Sequence, residues 1–279
     1  MSHLVDDMKV HLNNPDSFAT EFFQQNMLGR FSSINKTDVE ILVFHRPVSE
    51  YFLYIMRNTI IQALSQLAAA NRIFCSEADF QFALAWELQR LLPLTSIFLE
   101  KGVSVPSDTY YVDIVVESGG KIYYIELKYH TSTCNWHFRD TPIRLKNQGA
   151  QDLLRYDYLK DIYRLQKIKN NCEKEAFAGG FAIILTNDRL VYDAPVSFKN
   201  TLDCGFRIHD RRGTRVSKHP IPGLVSWNNK GRGSGHWTQR GERKLSFSVP
   251  PISTAWSQYL SFRDSIGESQ DFRYLINTI

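Results

Sequence analysis

The stretch YYVDIVVESGGKIYYIELKY, residues 110–129, holds two carboxylates and a lysine where an apolar core would want none of them: Asp113, Glu126 and Lys128. The stretch reads as a β-hairpin, with Glu117-Ser-Gly-Gly-Lys121 as its turn. Alternate residues of a strand share a face, so Glu126 and Lys128 point one way while Ile125, Leu127 and Tyr129 point the other, into a core. Pairing through the turn brings Asp113 near Glu126. Two carboxylates brought together repel, and one takes a proton unless a cation sits between them. A hard divalent cation with oxygen ligands suits such a pair. A lysine beside it can hold a water nucleophile or stabilise charge on a phosphate in the transition state. Two acids and a lysine on adjacent strands therefore point to metal-dependent hydrolysis of a phosphodiester.

The flanking segments supply what must position these residues. Residues 76–92, SEADFQFALAWELQRLL, predict a helix with Ser76 as N-cap, an apolar stripe of Phe80, Leu84 and Leu88, and Pro93 as its stop. IFLEKGVSV and the hairpin follow, then a long loop from His130 to Gln148 and a second helix over about 149–169. GGFAIILTND is a continuous apolar run bounded by turn residues, as expected of a strand buried on both faces. His130 is expected at a solvent-exposed strand end, and Cys134 in a polar loop. Helix, strand, hairpin, helix and strand in this order predict an α/β layer fold, with a mixed central sheet flanked by helices. Residues 49–69 show helical spacing of apolar residues, so 1–70 is read as a helical N-terminal segment, a helix-turn-helix or a cap. Residues 71–195 form the core, and 196–279 a basic, loop- and strand-rich C-terminal region whose tail is expected to hold a helix and an apolar strand at Phe272–Ile276.

Asp113 followed by Glu126-Leu127-Lys128 resembles the signature of the PD-(D/E)XK nuclease superfamily, with Val112-Asp113 in place of Pro-Asp. The order of elements over residues 76–186, roughly 110 of 279, is similar to that family's restriction-endonuclease-like core. The resemblance implies that Asp113 and Glu126 bind Mg²⁺ or Mn²⁺. It implies that Glu77, opening the first helix, completes the metal site, and that Lys128 acts on the water or the transition state. In some branches the second helix adds a glutamine and a tyrosine. Gln151 and Tyr156 resemble that pair, at a spacing of five rather than four.

Charge points to a polyanionic partner. The chain is +4 overall, yet residues 205–244 carry ten Lys/Arg against two acids, a net of +8 that leaves −4 elsewhere. Arg211, Arg212, Arg215 and Arg232 in that segment, with Arg139, Arg144 and Lys146 beside the hairpin, are the expected nucleic-acid contacts. Trp227 and Trp237, set among these charges, either stack on bases or form the segment's own core. Four widely spaced cysteines form no disulfide framework and fit a reducing cytoplasm, and no run approaches a membrane span. The expected activity is that of a DNA endonuclease of restriction or defence type. A homodimer would suit cleavage of both strands. The alternatives are a nucleic-acid-binding protein that keeps the fold without catalysis, an RNA-directed nuclease, and a protein-interaction module.

Overall fold

The computed structural model describes residues 48–106, 108–172, 176–195, 201–210, 223–227 and 246–279. The chain divides into two compact units, Met1–Ile55 and Met56–Ile279. Of the first, the described part is the start of helix α1 (Val48–Ala69). Everything that follows belongs to the second.

Its centre is a mixed six-stranded sheet, in the order β1-β2-β3-β6-β10-β9. Strands β1 (Ser96–Val105), β2 (Asp108–Ser118) and β3 (Lys121–His130) form an antiparallel meander. The two-residue turn between β2 and β3 is Gly119-Gly120, at φ 51° and 76°, the left-handed region a tight hairpin needs. β6 (Phe177–Thr186) runs parallel to β3, and β10 (Ser269–Thr278) and β9 (Ser257–Arg263) continue the sheet antiparallel. The tail beyond Trp256 therefore consists of two strands, and the helix expected there is not formed. Tyr259 of β9 and Phe272, Leu275 and Ile276 of β10 are buried once these strands continue the sheet from β6.

Helices cover both faces. α2 (Glu77–Leu91) is capped by Ser76, whose side chain accepts the Asp79 amide at 3.1 Å. It buries Phe80, Leu84 and Leu88 on the face that carries Tyr129, with Phe80 and Tyr129 rings 6.1 Å apart. α3 (Gln151–Asn171) covers the opposite face through Leu154, Tyr158, Ile162 and Leu165. Tyr158 anchors it, donating to Ala182 O and accepting from Asn277 Nδ2. The segment expected as a long loop instead holds a hairpin, β4 (Cys134–Phe138) and β5 (Thr141–Leu145). It is fastened to the β9–β10 turn by Trp136 on Phe262, at 4.2 Å, and by Ser265 N donating to Asn135 O. A short helix α4 (Arg189–Tyr192) follows β6, and β7 (Leu224–Val225) pairs with β8 (Phe247–Ser248).

Gly180 on β6 sits at a close approach of α3 and the C-terminal strand. A Cβ there would lie 3.3 Å from the Ile279 Cβ and 3.4 Å from Leu165. Gly180→Val is expected to lower stability by about 1–3 kcal/mol through overpacking. The urea midpoint reads this, and an unchanged midpoint would refute the close packing of α3 on β6.

Candidate active site

Asp113 sits where the sheet opens. Its strand pairs with β3 from the turn only as far as Ile114–Ile125. The β1–β2 pairing also skips it, passing from Leu99–Ile114 to Lys101–Val112, with Glu100 opposite in a left-handed conformation at φ 51°. Such strain in a non-glycine residue costs on the order of 1–3 kcal/mol and clusters at functional sites. Beyond the split, β3 carries two amides that face the side β2 has left. Side chains take both. Leu127 N donates to Asp113 Oδ2 at 2.5 Å, and Tyr129 N donates to Glu77 Oε2 at 2.8 Å. Gln81 of α2 donates to the Asp113 carbonyl at 2.6 Å and to Glu100 at 2.9 Å, fixing the backbone of the split. Two carboxylates thus replace a strand ladder, each with one oxygen held and the other making no hydrogen bond among the described residues.

Lys128 lies on the strand between these two amides. Its ammonium is 2.7 Å from Asp161 Oδ2 on α3 and donates to Leu127 O. Glu126, 2% exposed, faces the same helix, with Oε1 3.4 Å from Arg164 and no hydrogen-bond partner among the described residues. Arg164 lies 3.2 Å from Asp161 Oδ1 and donates to Tyr111 O at 3.1 Å. Glu77, Asp113, Glu126 and Asp161 surround Lys128 and Arg164, so the full cluster is −2 when every group is charged. Burial raises three of these acids. The Asp113 carboxyl goes up to about 6, chiefly by burial and against the pull of Lys128 and the Leu127 amide. Glu77 is raised by burial, and Glu126 is raised well above its ordinary value by burial and by Asp161. Burial would lower the Lys128 ammonium, but Asp161, Glu77 and Asp113 together outweigh it and hold the group charged.

The donor set fits a hard divalent cation in kind and in charge. It consists of carboxylates, Glu126 Oε1 is buried with no donor among the described residues, and four acids meet only two cations. Among the described residues, no three acidic, histidine or cysteine side chains are grouped so as to hold a metal ion. As the side chains stand, Lys128 and Arg164 supply the positive charge.

The other expected residues go elsewhere. Gln151 opens α3 but donates to Asp188, and Tyr156 is fully buried, stacked on Trp227 at 5.1 Å. Neither reaches the acids, because the helix turns Tyr156 into the core beneath β7 and β8. Trp227 accordingly belongs to that core. His130 is 5% exposed rather than at an open strand end, with Nε2 3.3 Å from Asp188, because β6 pairs alongside it as far as Thr186. Cys134 is fully buried on β4 rather than in a polar loop. Arg139, Arg144 and Lys146 are exposed on and beside the β4–β5 hairpin. Arg211, Arg212, Arg215 and Arg232 lie outside the described residues.

Asp161, Arg164 and Gln81 were not singled out in the sequence. A signal for Asp161 was there: Leu154, Tyr158, Leu165 and Ile168 form one stripe of α3, and Asp161 occupies the position between Tyr158 and Leu165. A carboxylate in an apolar stripe raises the same question as Asp113 in its strand.

Among the described residues, no helix is long and apolar enough to cross a membrane. No protein-family model matches the chain, and neither the curated proteins nor the solved structures yield a match.

Proposed function

We propose that this chain is a metal-dependent nuclease with a restriction-endonuclease-like core, acting on DNA in preference to RNA. The observation that carries the reading is the split of β2 from β3, where Asp113 and Glu77 take the two vacated amides on either side of Lys128. Asp113 and Glu126, with Glu77, would hold Mg²⁺ or Mn²⁺. When bound, such a cation polarises a phosphoryl oxygen and makes a coordinated water acidic.

The chain's own residues do the rest. The Leu127 and Tyr129 amides orient the Asp113 and Glu77 carboxylates. Asp161 keeps Lys128 charged, with its ammonium held between α3 and Leu127 O. From there the ammonium would donate to the phosphoryl oxygen on which charge develops as the water oxygen bonds to phosphorus, its proton passing to solvent, and the ester oxygen leaves with the electron pair and takes a proton from solvent. Arg139, Arg144 and Lys146 on the hairpin, with the basic segment 205–244, would supply salt-dependent grip on the backbone. The four cysteines are free thiols, in keeping with a cytoplasmic setting. A homodimer would bring two such sites to a duplex.

Supercoiled plasmid incubated with Mg²⁺, with Mn²⁺ and with EDTA tests this. Nicked or linear product is expected with either metal, and none with EDTA. Asp113→Ala is expected to lower the rate by about 10³-fold, on the scale of losing a group that stabilises the transition state. Duplex binding without cleavage in any metal would replace the nuclease by the non-catalytic binding protein. Cleavage confined to RNA would move the substrate class.

A further inference from the structure

Helix α3 puts a second cation against the acids. The Arg164 guanidinium touches three elements. It donates to Tyr111 O on β2 at 3.1 Å, meets Asp161 Oδ1 on its own helix at 3.2 Å, and stands 3.4 Å from Glu126 Oε1 on β3. Its carbon lies 5.1 Å from the centre of the Tyr110 ring. The first two contacts are hydrogen bonds. The third is charge alone: Glu126 Oε1 is buried and receives no hydrogen bond among the described residues. Glu126 is thus the most loosely tied of the three partners, and it is the carboxylate that must turn if the acids are to share a metal.

We propose that Arg164 is a built-in counter-ion which neutralises Glu126 in the metal-free site, and that a divalent cation binds by displacing it from that carboxylate. This rests on the reading of Asp113, Glu126 and Glu77 as metal ligands. A guanidinium stays charged at any ordinary pH, so it yields to competition and not to titration. Its bonds to Tyr111 O and Asp161 survive when Glu126 turns, so the exchange needs one side-chain rotation and no movement of α3. Arg164 is a positioning residue in this scheme, and its effect is to hold cation affinity down.

Calorimetric titration of the full chain with Mn²⁺ at one pH, without nucleic acid, tests this. Arg164→Gln keeps a donor for Tyr111 O and removes the charge. It is expected to tighten Mn²⁺ binding by about tenfold or more, since a unit charge this close to a bound ion is weakly screened. Asp113→Asn is expected to weaken binding in the same assay. Binding by Arg164→Gln where wild type shows none would support the proposal as well. Unchanged or weaker binding by Arg164→Gln, with Asp113→Asn still weakening it, overturns the counter-ion and leaves the metal site standing. No Mn²⁺ binding by either wild type or Arg164→Gln overturns both. Should Arg164→Gln fail to fold by circular dichroism, Arg164→Lys carries the test. Its shorter reach cannot span Tyr111 O and Glu126 together, so a smaller tightening is expected, and unchanged or weaker affinity overturns the proposal.

Discussion

Lys128→Met is expected to abolish metal-dependent cleavage, by about 10³-fold or more, and to destabilise the chain by about 2–4 kcal/mol. The two losses have different causes. Lys128 is the ion-pair partner of Asp161, whose side chain is 5% exposed, and it is hemmed in by Glu77 and Asp113. Removing it leaves the buried Asp161 carboxylate with Arg164 alone, among four acids that then face one cation, which is more costly than never having had the pair. Asp161→Asn on top of Lys128→Met removes that uncompensated charge. The double variant is therefore expected to regain more than half of the lost stability while cleavage stays absent. Urea unfolding and plasmid cleavage on the four members of this cycle separate the roles, because coupled residues depart from additivity. A Lys128→Met protein that cleaves at more than a tenth of the wild-type rate would make Lys128 a structural residue only.

Metal-free protein is expected to become more stable as the pH falls from 7 towards 5, through the Asp113 contribution. This is opposite in sign to ordinary acid unfolding. The Asp113 carboxyl is raised to about 6 in the folded chain from an unfolded value of 3.8. Between these values the folded chain holds a proton that the unfolded chain has released, so stability rises as pH falls through 6 and levels off near 4. A shift of this size corresponds to about 3 kcal/mol, reduced to about 2 by the solvent that reaches a partly exposed group. Glu77 and Glu126 are raised as well and act in the same direction. Asp188 and Asp264 are lowered, and their stabilisation is lost only as pH falls below the ordinary carboxylate range. Asp113→Asn keeps an oxygen for the Leu127 amide and cannot titrate. Its urea midpoint in EDTA is expected to exceed wild type at pH 7 and to match it near pH 4. If the difference between the two proteins does not change between pH 4 and 7, Asp113 is not the buried acid described above.

Much of the frame was legible along the chain. α2 begins at Glu77 after a Ser76 cap because a hydroxyl followed by an acidic first turn satisfies the open amides of a helix start, and that chemistry is local. The Gly119-Gly120 turn set the register of β2 on β3, and the unbroken apolar run of β6 announced a strand covered on both faces. The alternation of Glu126 and Lys128 with Ile125, Leu127 and Tyr129 is a property of any strand, so their common face needed no structure.

What the chain kept hidden lies between segments far apart in sequence. The β4–β5 hairpin was read as a loop because its stability comes from Trp136 against Phe262, a contact its own residues do not reveal. The C-terminal tail was read as part helix because its strands become favourable only with the edge of β6 beside them. Tyr156 resembles a family site residue, at a spacing one residue off, and is a core residue because α3 presents it to Trp227 and Phe247. Asp161 and Arg164 are the sharpest case. The sequence by itself determined that Asp113, Glu126 and Lys128 would lie on adjoining strands, since hairpin pairing is local. Only the tertiary structure decided which charges oppose them, because packing α3 across the sheet sets Asp161 on Lys128 and Arg164 on Glu126, and helix-to-sheet contacts leave no period in the chain.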